Sequence, residues 1–403
     1  MTQHPAPSRR TVAKGALFAA AATLLAAAPA RAATTPARAA TGPVEHRAGT
    51  GPGGLRTATG SAVLRLPAPT GPHPVGVRTF ALTDTSRNDP WEPAAGVREV
   101  MISVLYPART VRGRPRAPQL TAAEAKEFAD LAPRIHQGLP TAGVDWGAVL
   151  THGHVDAPPL PGRRPVLLYG PGAGDCRTLG TTLAEDLASH GRVVVLVDHP
   201  GDAGQVELPS GMRWTVLRGN PDPETFRTMI DTRVADLRFV LDRLGTLPLA
   251  PVMDLERIGV YGHSAGGTAA VHALAADDRI AAGVNLEGHL DLDPAVTEGL
   301  DRPLLMFRTD GFEQAARLER SWAGVPARRV LLADSGHWVL GDYAFLVPQL
   351  QAAGLVTAGT RAALVGPGDT AAAMAVVRRG VGSFFARRLR APAPAARGRG
   401  ASQ

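Results

Sequence analysis

The stretch IGVYGHSAGGTAAVHAL, residues 258–274, passes from an apolar run into an alanine-rich one and sets Ser264 among Gly262, Gly266 and Gly267 at the junction. Glycine weakens a helix by about 1 kcal/mol relative to alanine, so glycines where a helix should begin need a reason. The spacing G-x-S-x-G supplies one: a strand that turns sharply into a helix leaves the serine hydroxyl exposed at the bend, and the missing Cβ atoms let neighbouring backbones approach. Because the pattern is short and the chain holds 45 glycines in 403 residues, the order of the surrounding elements has to decide.

Outward from the serine, strands and helices alternate. REVMISVLYP (98–107) alternates apolar residues and reads as an early strand stopped by Pro107. TAAEAKEFADLAPRIH opens with Thr121 and Glu124 at capping-box spacing and carries Phe128, Leu131 and Ile135 on one helical face. PVLLYG (165–170) and RVVVLVD (192–198) are continuous apolar runs, as strands buried on both faces require. Between them TLGTTLAEDLASHG reads as a helix that stops at Gly191. DTRVADLRFVLDRL (231–244) is a helix by the spacing of Val234, Leu237, Val240, Leu241 and Leu244. RIGVYG, IAAGVNL, PLLMFRT and ARRVLLA read as further strands. This alternation predicts a mainly parallel sheet with helices on both faces, and it puts Ser264 at a strand-to-helix junction.

The ends of the chain differ from this body. Residues 1–32 hold the pair Arg9 and Arg10, then Lys14, a short apolar stretch and Ala30-Arg31-Ala32, the order of a twin-arginine export signal. The apolar stretch falls short of the roughly 20 residues that span a bilayer, so export rather than anchoring is expected. Residues 33–74, rich in Ala, Thr, Gly and Pro, read as a flexible lead-in, residues 75–388 as the folded domain, and residues 389–403 as a basic disordered tail. The net charge of +7 resides at these ends: setting aside residues 1–32 and 387–403 leaves 34 basic groups against 36 acidic ones, which gives a nucleic-acid partner no support. Cys176 is the single cysteine, which excludes an intrachain disulfide and a cysteine-built zinc site and reads as a buried bystander.

A serine hydroxyl needs a base within hydrogen-bond reach and a third group to hold that base. In the α/β-hydrolase fold the chain order is nucleophile, acid, histidine. Of the histidines downstream of Ser264, His272 lies inside the following helix and His289 follows a strand end too closely. His337, in LLADSGHWVLGDY, comes just after the last strand and reads as the base. Two carboxylates compete for the third place: Asp310 after PLLMFRT, which the strand pattern favours slightly, and Glu287 after IAAGVNL. The oxyanion that forms on a substrate carbonyl needs two backbone donors. Ala265 follows the nucleophile, and the glycine-rich turn YGPGAGD could supply the other; with no lysine after it, that turn lacks the spacing of a phosphate loop.

These residues resemble the platelet-activating-factor acetylhydrolase group of the α/β-hydrolases, including its secreted bacterial members. The similarity runs from about Arg98 to Phe385 and rests on LYP, THGHVDAPPLPGRRPVLLYGPGAGDCRTL, DLASHGRVVVLVDH, RVADLRFVLDRL, GHSAGG and SGHWVLGDY. The family's acid follows the strand after the nucleophile's helix. That segment here is NLEGHL, so the resemblance implies Glu287 as the triad acid, a glutamate where the family usually has aspartate. YGPGAG stands where the family usually has S-H-G-x-G, and matching the glycines places Ala173 at the second oxyanion donor. The resemblance implies a serine esterase that forms an acyl-enzyme on short-acyl lipid or lipid-like esters, needs no cofactor or metal, and touches a lipid surface transiently; the oligomeric state stays open. A polyester or cutin hydrolase would use the same residues. A non-catalytic binding protein on the same fold is disfavoured because every site position is filled.

Overall fold

Alternate residues of each apolar run enter two separate cores. The structure, a computed structural model, describes residues 60–390; the expected export signal, the lead-in up to residue 59 and the tail from residue 391 lie outside the described residues. In chain order the strands are β1 (Val75–Asn88), β2 (Val97–Pro107), β3 (Arg116–Pro118), β4 (Leu150–Val155), β5 (Arg164–Gly170), β6 (Val193–Val197), β7 (Gln205–Leu208), β8 (Gly211–Trp214), β9 (Met253–His263), β10 (Ile280–Leu286), β11 (Leu304–Thr309) and β12 (Arg328–Leu332). The helices are α1 (Ala122–Ile135), α2 (Thr181–Ser189), α3 (Pro223–Leu244), α4 (Ala265–Ala276), α5 (Pro294–Thr297), α6 (Ala315–Ser321), α7 (Tyr343–Ala352), α8 (Ala358–Val365) and α9 (Thr370–Arg388).

Ten strands form one sheet in the order β12-β11-β10-β9-β5-β6-β2-β1-β4-β3, and β7 pairs with β8 as a separate hairpin. From β12 to β6 every neighbouring pair is parallel. The strands β2 and β1 add on antiparallel. On one face Leu167, Tyr169, Val194, Leu196, Val284 and Phe307 pack with residues of α1, α2, α7 and α9. On the other, Val166, Leu168, Val193, Val195, Val260 and Met306 pack with α3, α4 and α6. Full burial of each such side chain contributes about 1.5–3 kcal/mol, and burial on both faces is why these strands read as unbroken apolar runs. This is the α/β-hydrolase fold that the alternation predicts. Parallel pairing also brings the carboxyl ends of β5, β9, β10 and β11 to one edge: Gly170 lies opposite Gly262, and Leu286 opposite both His263 and Phe307.

Two boundaries differ from expectation. Residues 61–74 are not a flexible lead-in: Ala62, Leu64 and Leu66 are buried in the first core, Ala62 bridges to Val144, and the Ala62 N–H donates to Gly143 O at 2.8 Å. Their period-two pattern is only five residues long and ends at Pro67, too short to stand out from the surrounding Ala/Thr/Gly/Pro composition. The helix expected to begin at Asp231 begins at Pro223, capped by the Asp222 side chain, which accepts from Thr225 N at 2.8 Å.

Candidate active site

Ser264 stands alone between β9 and α4, at φ 53° and ψ −121°. A non-glycine residue there carries roughly 1–3 kcal/mol of strain, which the surroundings must hold. They do so through two backbone bonds, Ser264 N to Leu286 O at 2.9 Å and Thr268 N to Ser264 O at 3.0 Å. The flanking glycines answer to close approach. A Cβ on Gly266 would fall 2.0 Å from Gly170 O, and one on Gly262 would fall 2.2 Å from Gly266 O. The crowding packs the elbow against the end of β5. Among the described residues the half-buried Ser264 hydroxyl makes no hydrogen bond; such bonds are often formed only once substrate is bound.

Glu287 follows β10, fully buried and also at positive φ (63°). Its Oε1 accepts from the Thr309 backbone N–H and, at 2.9 Å, from the Thr309 hydroxyl. This fixes the carboxylate and turns Oε2 to the Nδ1–H of His337, 2.7 Å away. His337 opens a 3-10 turn, His337–Leu340, after β12. Phe312 stacks on its ring at 4.1 Å and 13°. His263, the residue before the serine, donates from Nε2 to His337 O at 3.0 Å, so the elbow and the histidine loop are tied directly. Burial pushes Glu287 up to about 7 and His337 down to about 3, the latter opposed by the nearby Asp175. Both shifts oppose separated charge; while Glu287 is ionised, the neutral imidazole carries its proton on Nδ1, facing Oε2, and Nε2 is left as an acceptor.

Asp310 sits elsewhere. Its exposed carboxylate accepts the Asp334 and Ser335 backbone N–H groups at 2.9 and 3.1 Å, so it ties down the loop ahead of His337 instead of meeting the imidazole. Slight burial raises its pKa, but these donors outweigh it and hold it below the usual range. His272 is buried in α4, and His289 faces Phe312 at 5.7 Å with burial pushing it down to about 4.

Ala265 is the first residue of α4, so its N–H has no acceptor within the helix. The Ala173 N–H, in the turn after β5, has no acceptor among the described residues. Ala173, like Trp91, Leu217, Phe226 and Leu292, packs against the small apolar cluster that contains Ala265, so one apolar wall carries both donor residues. The turn is held from below by Arg233 of α3, fully buried, which donates to Pro171 O at 2.5 Å, Gly172 O at 3.0 Å and Asp202 Oδ2 at 2.5 Å. At its far end His136 Nε2 bonds Asp175 at 2.8 Å. Cys176 follows, buried, its thiol pushed up by burial. Sequence reasoning gave Arg233 no role. The available signal was its position four residues before Leu237, on the row of α3 that faces the core. No group of three or more His, Cys, Asp or Glu among the described residues is arranged to hold a metal ion.

Residues 233–384 match the family described as platelet-activating factor acetylhydrolase, isoform II. A probable 1-alkyl-2-acetylglycerophosphocholine esterase of Arthroderma benhamiae is 31% identical over 258 residues, 58% of this chain and 61% of that one. The platelet-activating factor acetylhydrolase of Canis lupus familiaris is 24% identical over 237 residues, 50% of this chain and 53% of its own length. The chain thus spans little more than half the length of these curated relatives. Among solved structures, the ferulic acid esterase from Streptomyces cinnamoneus is 34% identical with a TM-score of 0.68, covering 82% of this chain and 95% of that one.

Proposed function

The chain belongs to the platelet-activating-factor acetylhydrolase-like group of the α/β-hydrolases, and on that premise we propose that it is a carboxylic ester hydrolase working through an acyl-enzyme on Ser264. His337 Nε2 takes the hydroxyl proton as Ser264 Oγ attacks the ester carbonyl, and Glu287 holds Nδ1–H and stabilises the imidazolium. The Ala265 and Ala173 N–H groups receive the oxyanion. The tetrahedral adduct collapses, His337 returns the proton to the departing alcohol, and water repeats the sequence on the acyl-enzyme to release the acid. One observation supports this above the others: a fully buried carboxylate 2.7 Å from the Nδ1 of a histidine whose backbone is bonded to the residue preceding the serine.

The substrate is a short-acyl lipid or lipid-like ester, which the names of the curated relatives support, and transient contact with a lipid surface belongs to the same proposal. A second reading, an aromatic acyl ester, draws on the apolar wall of Trp91, Leu217 and Phe226 and on the likeness to the ferulic acid esterase. Ser264→Ala should lower kcat by several orders of magnitude in a folded protein, and a phosphonate ester should label Ser264 alone. Labelling elsewhere, or an active alanine variant, refutes the nucleophile. Relative kcat/KM on acetyl-glycerolipid, p-nitrophenyl and ferulate esters separates the two substrate readings.

Export by the twin-arginine route belongs to the same proposal and rests on Arg9, Arg10 and the Ala30-Arg31-Ala32 cleavage site. Arg9→Lys with Arg10→Lys should keep the protein in the cytoplasm. Deleting residues 391–403, proposed to be a disordered tail, should leave turnover of a soluble ester unchanged.

A further inference from the structure

The peptide joining Gly172 to Ala173 carries the carbonyl that Arg233 binds and the N–H proposed as the second oxyanion donor. In a trans peptide these two groups point in opposite directions within one plane. No described peptide bond is cis, so the direction of Gly172 O fixes that of Ala173 N–H. Arg233 Nη2 holds this carbonyl at 3.0 Å, with the Asp175 N–H as a second donor at 3.2 Å. Arg233 Nη1 holds the preceding carbonyl, Pro171 O, at 2.5 Å, so the planar guanidinium grips two consecutive peptides. The grip is itself fixed, because Asp202 takes Nε at 2.5 Å and also accepts from Gly174 N at 3.4 Å.

Glycine at position 172 leaves its peptide intrinsically free to rotate. Without a clamp, the rotation that turns Gly172 O toward the elbow would turn the Ala173 N–H away from it. We propose that Arg233 is a positioning residue that sets the oxyanion donor at Ala173 by clamping the Gly172–Ala173 peptide from behind. The inference rests on the serine-esterase reading above. A cation bound to the carbonyl also polarises the amide and makes its N–H a stronger donor. Lysine supplies the charge as a point and cannot hold two carbonyls and a carboxylate in one plane.

The test uses the purified full chain, with phosphonate labelling of wild type as its first arm. A wild type that is not labelled at Ser264 overturns the esterase reading and this proposal with it. Given labelling, Arg233→Lys should lower kcat roughly 10²- to 10³-fold, the loss seen for one oxyanion donor. KM should change by less than about threefold, since substrate binds before the oxyanion exists. The affinity for a trifluoromethyl ketone, whose adduct carries the oxyanion, should fall by a factor similar to that in kcat. Because a buried Asp202 without its partner could prevent folding, the double variant Arg233→Gln with Asp202→Asn removes both charges together and is read the same way. A folded variant with wild-type kcat, a loss confined to KM, or a loss of kcat with ketone affinity intact would overturn the clamp while leaving the nucleophile standing.

Discussion

Glu287 and Asp310 end adjacent strands, and their surroundings give them different work. Glu287 is buried, bonded by Thr309 and aimed at His337; Asp310 is exposed and holds two backbone amides. Glu287→Gln should reduce kcat roughly 10³- to 10⁴-fold with little change in KM, the pattern of a lost tautomer. Asp310→Asn should cost less than about tenfold in kcat and about 1 kcal/mol or less in stability, because solvent screens an exposed acceptor. Steady-state kinetics and thermal melts of both variants check the ranking, and the reverse order would make Asp310 the triad acid. Burial also sets the pH profile. His337 is pushed down from the usual 6.5 to about 3, so its neutral, base-competent form persists as pH falls below 6.5. Glu287, pushed up to about 7, is therefore the group that takes up a proton first, and its own proton then occupies the Nδ1 bond. The acid limb of kcat/KM should lie near pH 7, measured on a soluble ester over the range in which the protein stays folded. A limb well below pH 6 would mean that the Thr309 bonds keep Glu287 ionised against its burial.

The turn from β9 into α4 tolerates no added atoms. Gly266→Ala would press a methyl group to within 2.0 Å of Gly170 O, backbone that cannot step aside. The expected cost is at least about 3 kcal/mol, read as a lowered urea midpoint at unchanged slope. A near-wild-type midpoint would show that β5 and α4 can separate. The sequence makes β5, β6 and β9–β11 legible because burial on both faces writes them as apolar runs, the edge strand β12 by its short run Val330-Leu331-Leu332, and the elbow because its glycines stand in a fixed spacing. It hides β1, whose exposed Thr79, Thr83 and Ser86 blur the alternation, and the first two turns of α3, where PETFRTMI carries only an isolated Phe226 ahead of the pair Met229-Ile230. Arg233 is hidden for another reason. Periodicity assigns a charged helix residue to solvent, and its partners, Pro171 and Gly172, lie some sixty positions away. Glu287 was open to doubt on strand order alone, because what sets it apart from Asp310 is the bond across to Thr309, a contact between neighbouring strands.

At the scale of the whole molecule, the site draws on the ends of parallel strands joined through one sheet, and its loops are tied to one another: His263 to His337, Arg233 to the turn after β5, Asp310 to the loop before His337. Loss of the sheet therefore takes every part of the site with it. Cys176 lies at the start of the 3-10 turn that leads into α2, packed in the first core with only 2% of its surface exposed. As the single thiol of all 403 residues, it is a reporter that the chain already carries. In the folded protein a disulfide reagent such as Ellman's finds no accessible thiolate; in denaturant it should release one chromophore per chain. The slow colour that develops without denaturant then counts openings of the domain, and comparing its rate with the loss of esterase activity shows whether the site comes apart before the core does or only together with it. Immediate reaction in the native protein would reveal that the turn after β5 and the start of α2 open on their own.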